Sequence, residues 1–433
     1  MDILSIIENK KRKKELNTNE IQYFIENYTN GNIPDYQAAA LIMAIYLNGM
    51  NEREVTDLTM AMANSGEILD LSDISNNIVD KHSTGGIGDK VTVILMPIIA
   101  SLGIKVAKLS GRGLGITGGT ADKLDSIPGY RTGISIKEFK QNVKDINISL
   151  VTQTLDVAPA DKKIYALRDV INCIDSIPLI ASSIMSKKIA LGANKIVLDV
   201  MCGSGAFMKN IEEAESLAKL MVKIGEQSGK ETVCLITNMN QPLGYSIGNN
   251  LEIIEAIKFL KGDMPEDLKE VVLESGSYII KLATGNDDLE EHKKKMLENI
   301  ENGKAYNKFL ELVKRQSGDI SVIENTNLFP KANCIIPYIA EESGYVSKID
   351  AEKIGLASLY LGAGRMKKED SVDFSAGIVL NKKIEDTVEK GEVLAYIHAN
   401  NEQIAQKGIQ YVMQAFEVSN EKVEKQKEIL KVI

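Results

Sequence analysis

Two glycine-rich stretches hold the residue types best suited to chemistry. Residues 81–90 read KHSTGGIGDK and residues 108–123 read KLSGRGLGITGGTADK. Each places a lysine and hydroxyls beside glycines: Lys81, Ser83 and Thr84 in the first, Lys108, Ser110, Thr117 and Thr120 in the second. Glycine lets the backbone approach an oxyanion closely, and a helix starting after the loop points free N–H groups at it. Lysine and serine add charge and donors. One such loop alone fits a tight strand-to-helix turn equally well. Two, each with lysine and serine, point to anion binding. His82, one of only three histidines, stands inside the first loop. A lone histidine is ordinarily a hydrogen-bonded structural residue, so its company decides its reading.

Spacing narrows the anion. The triphosphate-cradling pattern GxxxxGK[ST] is absent. A GxGxxG does occur from Gly113 to Gly118, but Pro128-Gly129 follows too soon for the long helix that a dinucleotide site needs.

The elements that must position these loops are legible in outline. The chain has 433 residues, more than one hydrophobic core accommodates. The first 65 residues read as helices: Asn19 to Tyr28, then Pro34 to Leu47 stopping at Gly49, then Glu52 to Asn64. From about Asn76 short β-branched runs (IVDKH, IKVAKLS, ISLVTQT, KIVLDVM, ETVCLITNM) alternate with helices, as in an α/β sheet buried on both faces. Two helices, Asp161 to Cys173 and Pro178 to Leu191, interrupt that alternation. After Asn333 strand-like pieces surround a helix from Ala351 to Leu361, and the tail Glu417 to Val432 reads as charged helix. The expected fold class is α/β: a small all-helical domain (1–65 and 155–193), a large α/β domain (70–154 and 194–332) and an α+β C-terminal lobe (333–433), with the site in the interdomain cleft.

Composition excludes several partners. A net charge of −9 argues against nucleic acid and anionic membranes. The basic run Lys10 to Lys14 reads as a solvated helix face. Cys173, Cys202, Cys234 and Cys334 lie far apart without metal-ligand spacing, so neither a disulfide frame nor a zinc site is expected, and a reducing cytoplasm fits. The N-terminus lacks an apolar signal core, and Val91 to Ile104 is too short and broken to span a bilayer.

Four blocks together are more specific than either loop. KHSTGGIGDK, KLSGRGLGITGGTADKLDSIPG, ALRDVINCIDSIPLIASSIMSKKIALGA and NQPLGYSIGN resemble, in order and spacing, the pyrimidine-nucleoside and thymidine phosphorylases. The resemblance covers essentially the whole chain. It implies reversible phosphorolysis of a pyrimidine nucleoside to free base and (deoxy)ribose 1-phosphate, with phosphate as co-substrate and no cofactor. It also implies a cleft between helical and α/β domains and a homodimer joined through the helical domain.

By that resemblance Lys81, Ser83, Thr92, Lys108, Ser110 and Thr120 bind phosphate, while Tyr165, Arg168, Ser183 and Lys187 hold the nucleoside. His82, Arg168 and Lys187 carry the catalysis. Spacing is compatible: Asp161, Tyr165 and Arg168 share one helix face, as do Ser183 and Lys187. Taken alone, Arg168-Asp169 reads as a surface ion pair and Lys187-Lys188 as a solvated helix end. An imidazole titrating near neutral pH at position 82 can donate to the pyrimidine O2 as the glycosidic bond breaks.

The chain departs from the family pattern in places. Ile116 stands where LGHTGGT has histidine, Asp125 where KLE has glutamate, and MCGSGAFMK where KTGAGAFMK is frequent. The broad-specificity bacterial enzymes resemble one another in a potassium site around the equivalents of Gly88, Leu243, Ser246 and Glu255 with a threonine at 90; here Lys90 stands there, and its ammonium is expected to pair with Glu255 in place of the ion. Lysine at 108, where strict deoxynucleoside enzymes carry a hydrophobic residue, favours use of uridine as well as thymidine and deyoxyuridine. The alternatives are a strict thymidine phosphorylase and an anthranilate-type phosphoribosyltransferase. The latter needs magnesium-binding carboxylates, and neither loop has such a cluster.

Overall fold

The computed structural model describes residues 1–113, 115–152, 157–367 and 370–433. Four helices open the chain: α1 (Ile3–Lys11), α2 (Thr18–Thr29), α3 (Asp35–Asn48) and α4 (Glu52–Ala63). Asn17 and Asn51 start α2 and α4 with reciprocal caps to Glu20 and Glu54. The basic run is a correction. Helix α1 ends at Lys11, and Lys10 is buried, donating to Glu54 at 2.7 Å. A carboxylate inside the helical core requires a cation, and Lys10 is the one within reach.

The α/β body begins with β1 (Ile78–Ser83), α5 (Val91–Ser101), β2 (Lys105–Ser110), α6 (Thr120–Asp125), α7 (Ile136–Ile146) and β3 (Ile148–Thr152). The expected strand end and domain boundary at Gln153 to Leu155 lie outside the described residues. The chain then returns to the helical side with α8 (Pro159–Val170) and α9 (Ile177–Ala190). Ile164, Leu167 and Leu179 join Phe24, Tyr28 and Leu41 in one apolar core. The body resumes with β4 (Lys195–Cys202), α10 (Ile211–Gln227), β5 (Glu231–Asn238), β6 (Ser246–Ile247) and α11 (Asn249–Leu260).

Strands β5, β4, β1, β2 and β3 lie side by side in that order, all parallel. The strand order reverses at β1, which has β2 on one side and β4 on the other. In such sheets ligands bind beyond the carboxyl ends of the strands at the reversal point. His82 and Ser83 end β1, and Lys108 to Ser110 end β2, so both glycine loops leave from that place.

The C-terminal lobe differs from expectation at its end. The tail forms strands Phe416–Ser419 and Ile429–Val432 rather than a helix. The last strand pairs antiparallel with β5, Ile429 opposite Thr237 and Val432 opposite Leu235. It covers what would be an open sheet edge, a tertiary need that the tail's charge-rich composition does not announce. In turn β6 pairs with the lobe strand Gly377–Leu380, and lobe residues such as Ile354 and Ile378 share one core with Val93 and Leu95 of α5. The lobe is therefore fastened to the body by both strands and core.

Candidate active site

Charged side chains in the two central strands build the floor of the site. Asp80, Lys81 and Asp199 are fully buried, which a β-sheet core tolerates only when charges are matched. Alternation along β1 sends Asp80 and His82 to one face and Lys81 to the other. On the first face Lys188 of α9 donates to Asp80 Oδ2 at 2.8 Å, and Lys108 Nζ lies 3.9 Å from Oδ1. On the second, Lys81 donates to Asp199 Oδ2 at 3.0 Å, and Thr237 donates to Asp199 Oδ1 at 2.7 Å.

The second loop is shaped by close backbone approach. A Cβ on Gly119 would lie 2.2 Å from the Gly113 nitrogen, and one on Gly113 would meet Gly119 N and Thr117 O at 2.5 Å. Only glycine fits at both ends of this fold-back. Gly113 N also donates to Asp122 at 2.6 Å, and Arg365 from the C-terminal lobe holds the same carboxylate at 2.8 Å. Two departures from the family pattern, Ile116 and Asp125, fall on this scaffold. Arg112 and Thr132 both bond Asp125, and Ile116 packs against Gly355 of the lobe helix Ala351–Leu361.

A cleft of about 390 Å³ lies between these loops and α8–α9, within the size range of small-molecule sites. His82, Ser83, Thr92, Lys108, Ser110 and Thr120 line one wall; Tyr165, Arg168, Ser183 and Lys187 line the other. Lys81 alone departs from expectation. It is sealed beneath the first loop on Asp199, and Asp89, then Asp199, hold its ammonium above the ordinary lysine range against the opposing cost of burial. Its charge acts through the loop rather than from the wall.

The opposite wall is preorganised. Arg168 is buried and donates to the carbonyls of Cys173 and Leu179 at 3.0 Å each, and to that of Ile174. Lys187 donates to Asp161 at 2.5 Å and to Ser183 Oγ at 3.0 Å. Neither reading as a surface ion pair or solvated helix end applies, because α8 and α9 turn these residues inward. Lys188, Asp80 and Asp199 do not stand out from sequence as site residues, and Asp161 does so only by sharing a helix face with Tyr165 and Arg168. The signals were faint: an aspartate directly before Lys81, a second lysine after Lys187, and a strand otherwise too apolar for either charge.

His82 is half-buried. Burial, followed by the charges of Lys188, Lys108, Lys187 and Lys81, pushes its imidazole well below the ordinary histidine range. The expected near-neutral titration is thus corrected. Surrounded by cations, the ring is neutral at pH 7 and offers one N–H.

The Ser110 hydroxyl is buried and has no hydrogen-bond partner among the described residues. Such a group in a cation-lined cleft is suited to an oxyanion. Ser110→Ala is expected to leave thermal stability unchanged while raising the phosphate KM about tenfold or more, the worth of a hydrogen bond to a charged group. A melting curve and phosphate saturation kinetics on the same sample check both halves.

The residues at the family's potassium position do not fit an ion. Lys90 Nζ donates to Leu243 O at 2.7 Å and pairs with Glu255 at 2.7 Å, while Glu255 also accepts from the Tyr245 and Ser246 amides. The positive charge there belongs to the chain itself.

A helical bundle set against a parallel sheet, with the cleft between them, defines a class. The chain matches the glycosyl transferase family helical bundle domain over residues 4–66 and the a/b domain of that family over 75–306. Residues 345–419 match the pyrimidine nucleoside phosphorylase C-terminal domain. Pyrimidine-nucleoside phosphorylases of Staphylococcus haemolyticus and Bacillus subtilis are 53% and 52% identical over 404 residues, 93% of each chain. This chain belongs to the pyrimidine-nucleoside phosphorylase family. An anthranilate phosphoribosyltransferase from Thermus thermophilus shares the fold, with a TM-score of 0.60 and 17% identity over 72% of this chain and 99% of that one.

Proposed function

We propose that this chain catalyses the reversible phosphorolysis of pyrimidine nucleosides, releasing free base and (deoxy)ribose 1-phosphate. The observation that carries it is one cleft with an oxyanion wall, including the Ser110 hydroxyl, unpartnered among the described residues, facing a preorganised Arg168–Ser183–Lys187 wall.

Phosphate would sit on Ser83, Thr92, Lys108, Ser110 and Thr120, neutralised further by Lys81 from beneath. Displacement at C1′ passes through an oxocarbenium-like transition state, and negative charge develops on the departing pyrimidine. Arg168 and Lys187 stabilise that charge, Ser183 fixes the ring edge, and Tyr165 flanks the base. The neutral His82 N–H donates to the pyrimidine O2 as the bond lengthens. Closure of the two walls brings the reactants together and excludes water, which would otherwise hydrolyse the nucleoside.

Uridine, thymidine and 2′-deoxyuridine are all expected substrates, because Lys108 is a donor within the sugar–phosphate region. The test supplies phosphate with each nucleoside and follows free base by absorbance. Release from all three supports the broad reading, and release from the deoxynucleosides alone would make the activity a strict thymidine phosphorolysis. No phosphate-dependent release would overturn the proposal.

No metal or organic cofactor is needed in this scheme. Since Lys90 supplies the charge beside Glu255, turnover should be equal in potassium-free and potassium-containing buffers. A strict requirement for added potassium would refute that assignment. The protein acts in the cytoplasm as a homodimer joined through the helical domain, where Leu4, Tyr36 and Leu47 are exposed. Light scattering in solution checks the dimer.

A further inference from the structure

The cations on the cleft side of β1 outnumber the carboxylates that face them. Lys187 is held by Asp161, and Lys188 by Asp80. Lys108 is left over. Only 3% exposed, it donates to the neutral Leu109 carbonyl at 2.7 Å, and the nearest carboxylate oxygen among the described residues, Asp80 Oδ1, is beyond hydrogen-bond reach at 3.9 Å. That oxygen has no hydrogen-bond partner among the described residues. Among the described residues, the charged and titratable groups acting on Lys108 are Asp80 and Lys81 of β1 and Lys188 of α9, with His82 beside it, and Asp89, Arg112, Asp161, Lys162, Arg168 and Lys187 line the same cleft. On its other side β3 pairs Leu150 with Lys108 and contains no titratable residue from Ile148 to Thr152.

We propose that Lys108 stays an uncharged amine while the cleft holds no anion, and takes up a proton when an oxyanion enters. Asp80 serves as the one counter-ion for two lysines and spends its charge on Lys188. The inference rests on the phosphate reading of this wall and goes beyond it: the anion is bound together with a proton. A buried ammonium without a carboxylate is costly, and a dianion arriving beside it removes that cost. The same reasoning accounts for the direction of its titration, since burial and then Lys188 pull the amine well below the ordinary lysine range, with Asp80 opposing.

Below the depressed value Lys108 is charged with or without phosphate, and no proton moves. Above it the free protein lacks the proton that the complex holds, so phosphate binding weakens about tenfold per pH unit up to the lysine value in the complex. The experiment is calorimetric titration of inorganic phosphate into the native protein at mildly alkaline pH, where free phosphate is the dianion. Repeating it in two buffers of different ionisation enthalpy gives the protons exchanged. Uptake of about one proton per site is expected. His82→Asn should keep that uptake and Lys108→Met should abolish it, making phosphate affinity independent of pH in this range. Binding without proton uptake, or uptake lost in His82→Asn and kept in Lys108→Met, would overturn the inference alone. Absence of any phosphate binding would instead overturn the phosphate reading, and the inference with it.

Discussion

Replacing His82 by alanine is expected to lower turnover by roughly 100-fold or more, the usual contribution of a positioned proton donor, with little change in the phosphate KM. The ring is half-buried, and no hydrogen bond to it is seen among the described residues, so its loss costs packing but breaks no such bond. Burial first, and then the neighbouring lysines, hold its imidazole well below the ordinary range, and this distinguishes two ways for it to act. A neutral N–H donor should be partly replaced by the amide of His82→Asn, and turnover should show no histidine-like titration near neutral pH. A titrating acid should lose as much in His82→Asn as in His82→Ala, and its pH profile should follow the imidazole. An unchanged turnover number in His82→Ala would remove the role altogether.

The largest effect on stability is expected at Asp199, outside the cleft. Its carboxylate is the hydrogen-bonded counter-ion of Lys81, and neither side chain reaches solvent. Asp199→Ala leaves an ammonium stranded in the central strands and should cost about 3–5 kcal/mol. For a chain of this size that lowers the melting temperature by roughly 3–6 °C. The double variant Lys81→Met/Asp199→Leu should recover most of the loss, since an apolar pair of similar volume carries no desolvation penalty. It should still bind phosphate more weakly than native, because the charge beneath the first loop is gone. A single variant as stable as native would show that Lys81 is not held by this pair.

Asp80 and Asp199 share a further property. Each sits in a strand whose neighbours are apolar, and each is satisfied by a lysine far away in the chain. Lys188 lies 108 residues from Asp80, and Asp199 lies 118 from Lys81. Such pairs leave no local pattern, which is why these carboxylates did not stand out. Local signals succeeded where the determinant is itself local. Capping at Asn17 and Asn51, the glycine fold-back between Gly113 and Gly119, and the β-branched runs of β1 to β5 each follow from neighbouring residues.

The sequence by itself determined the helical, α/β and C-terminal parts, the two anion-directed glycine loops and the residues that face each other across the cleft. These depend on periodicity, backbone freedom and residue type within short windows, and on blocks whose order is shared with a family. Only the tertiary structure decided which lysines face substrate and which are sealed. It put Lys81 beneath the loop, gave Lys188 the counter-ion that Lys108 lacks, made His82 neutral, and turned the C-terminal tail into a strand beside β5. Each outcome is a matter of burial and of which charge lies within a few ångströms, quantities that exist only once distant segments meet.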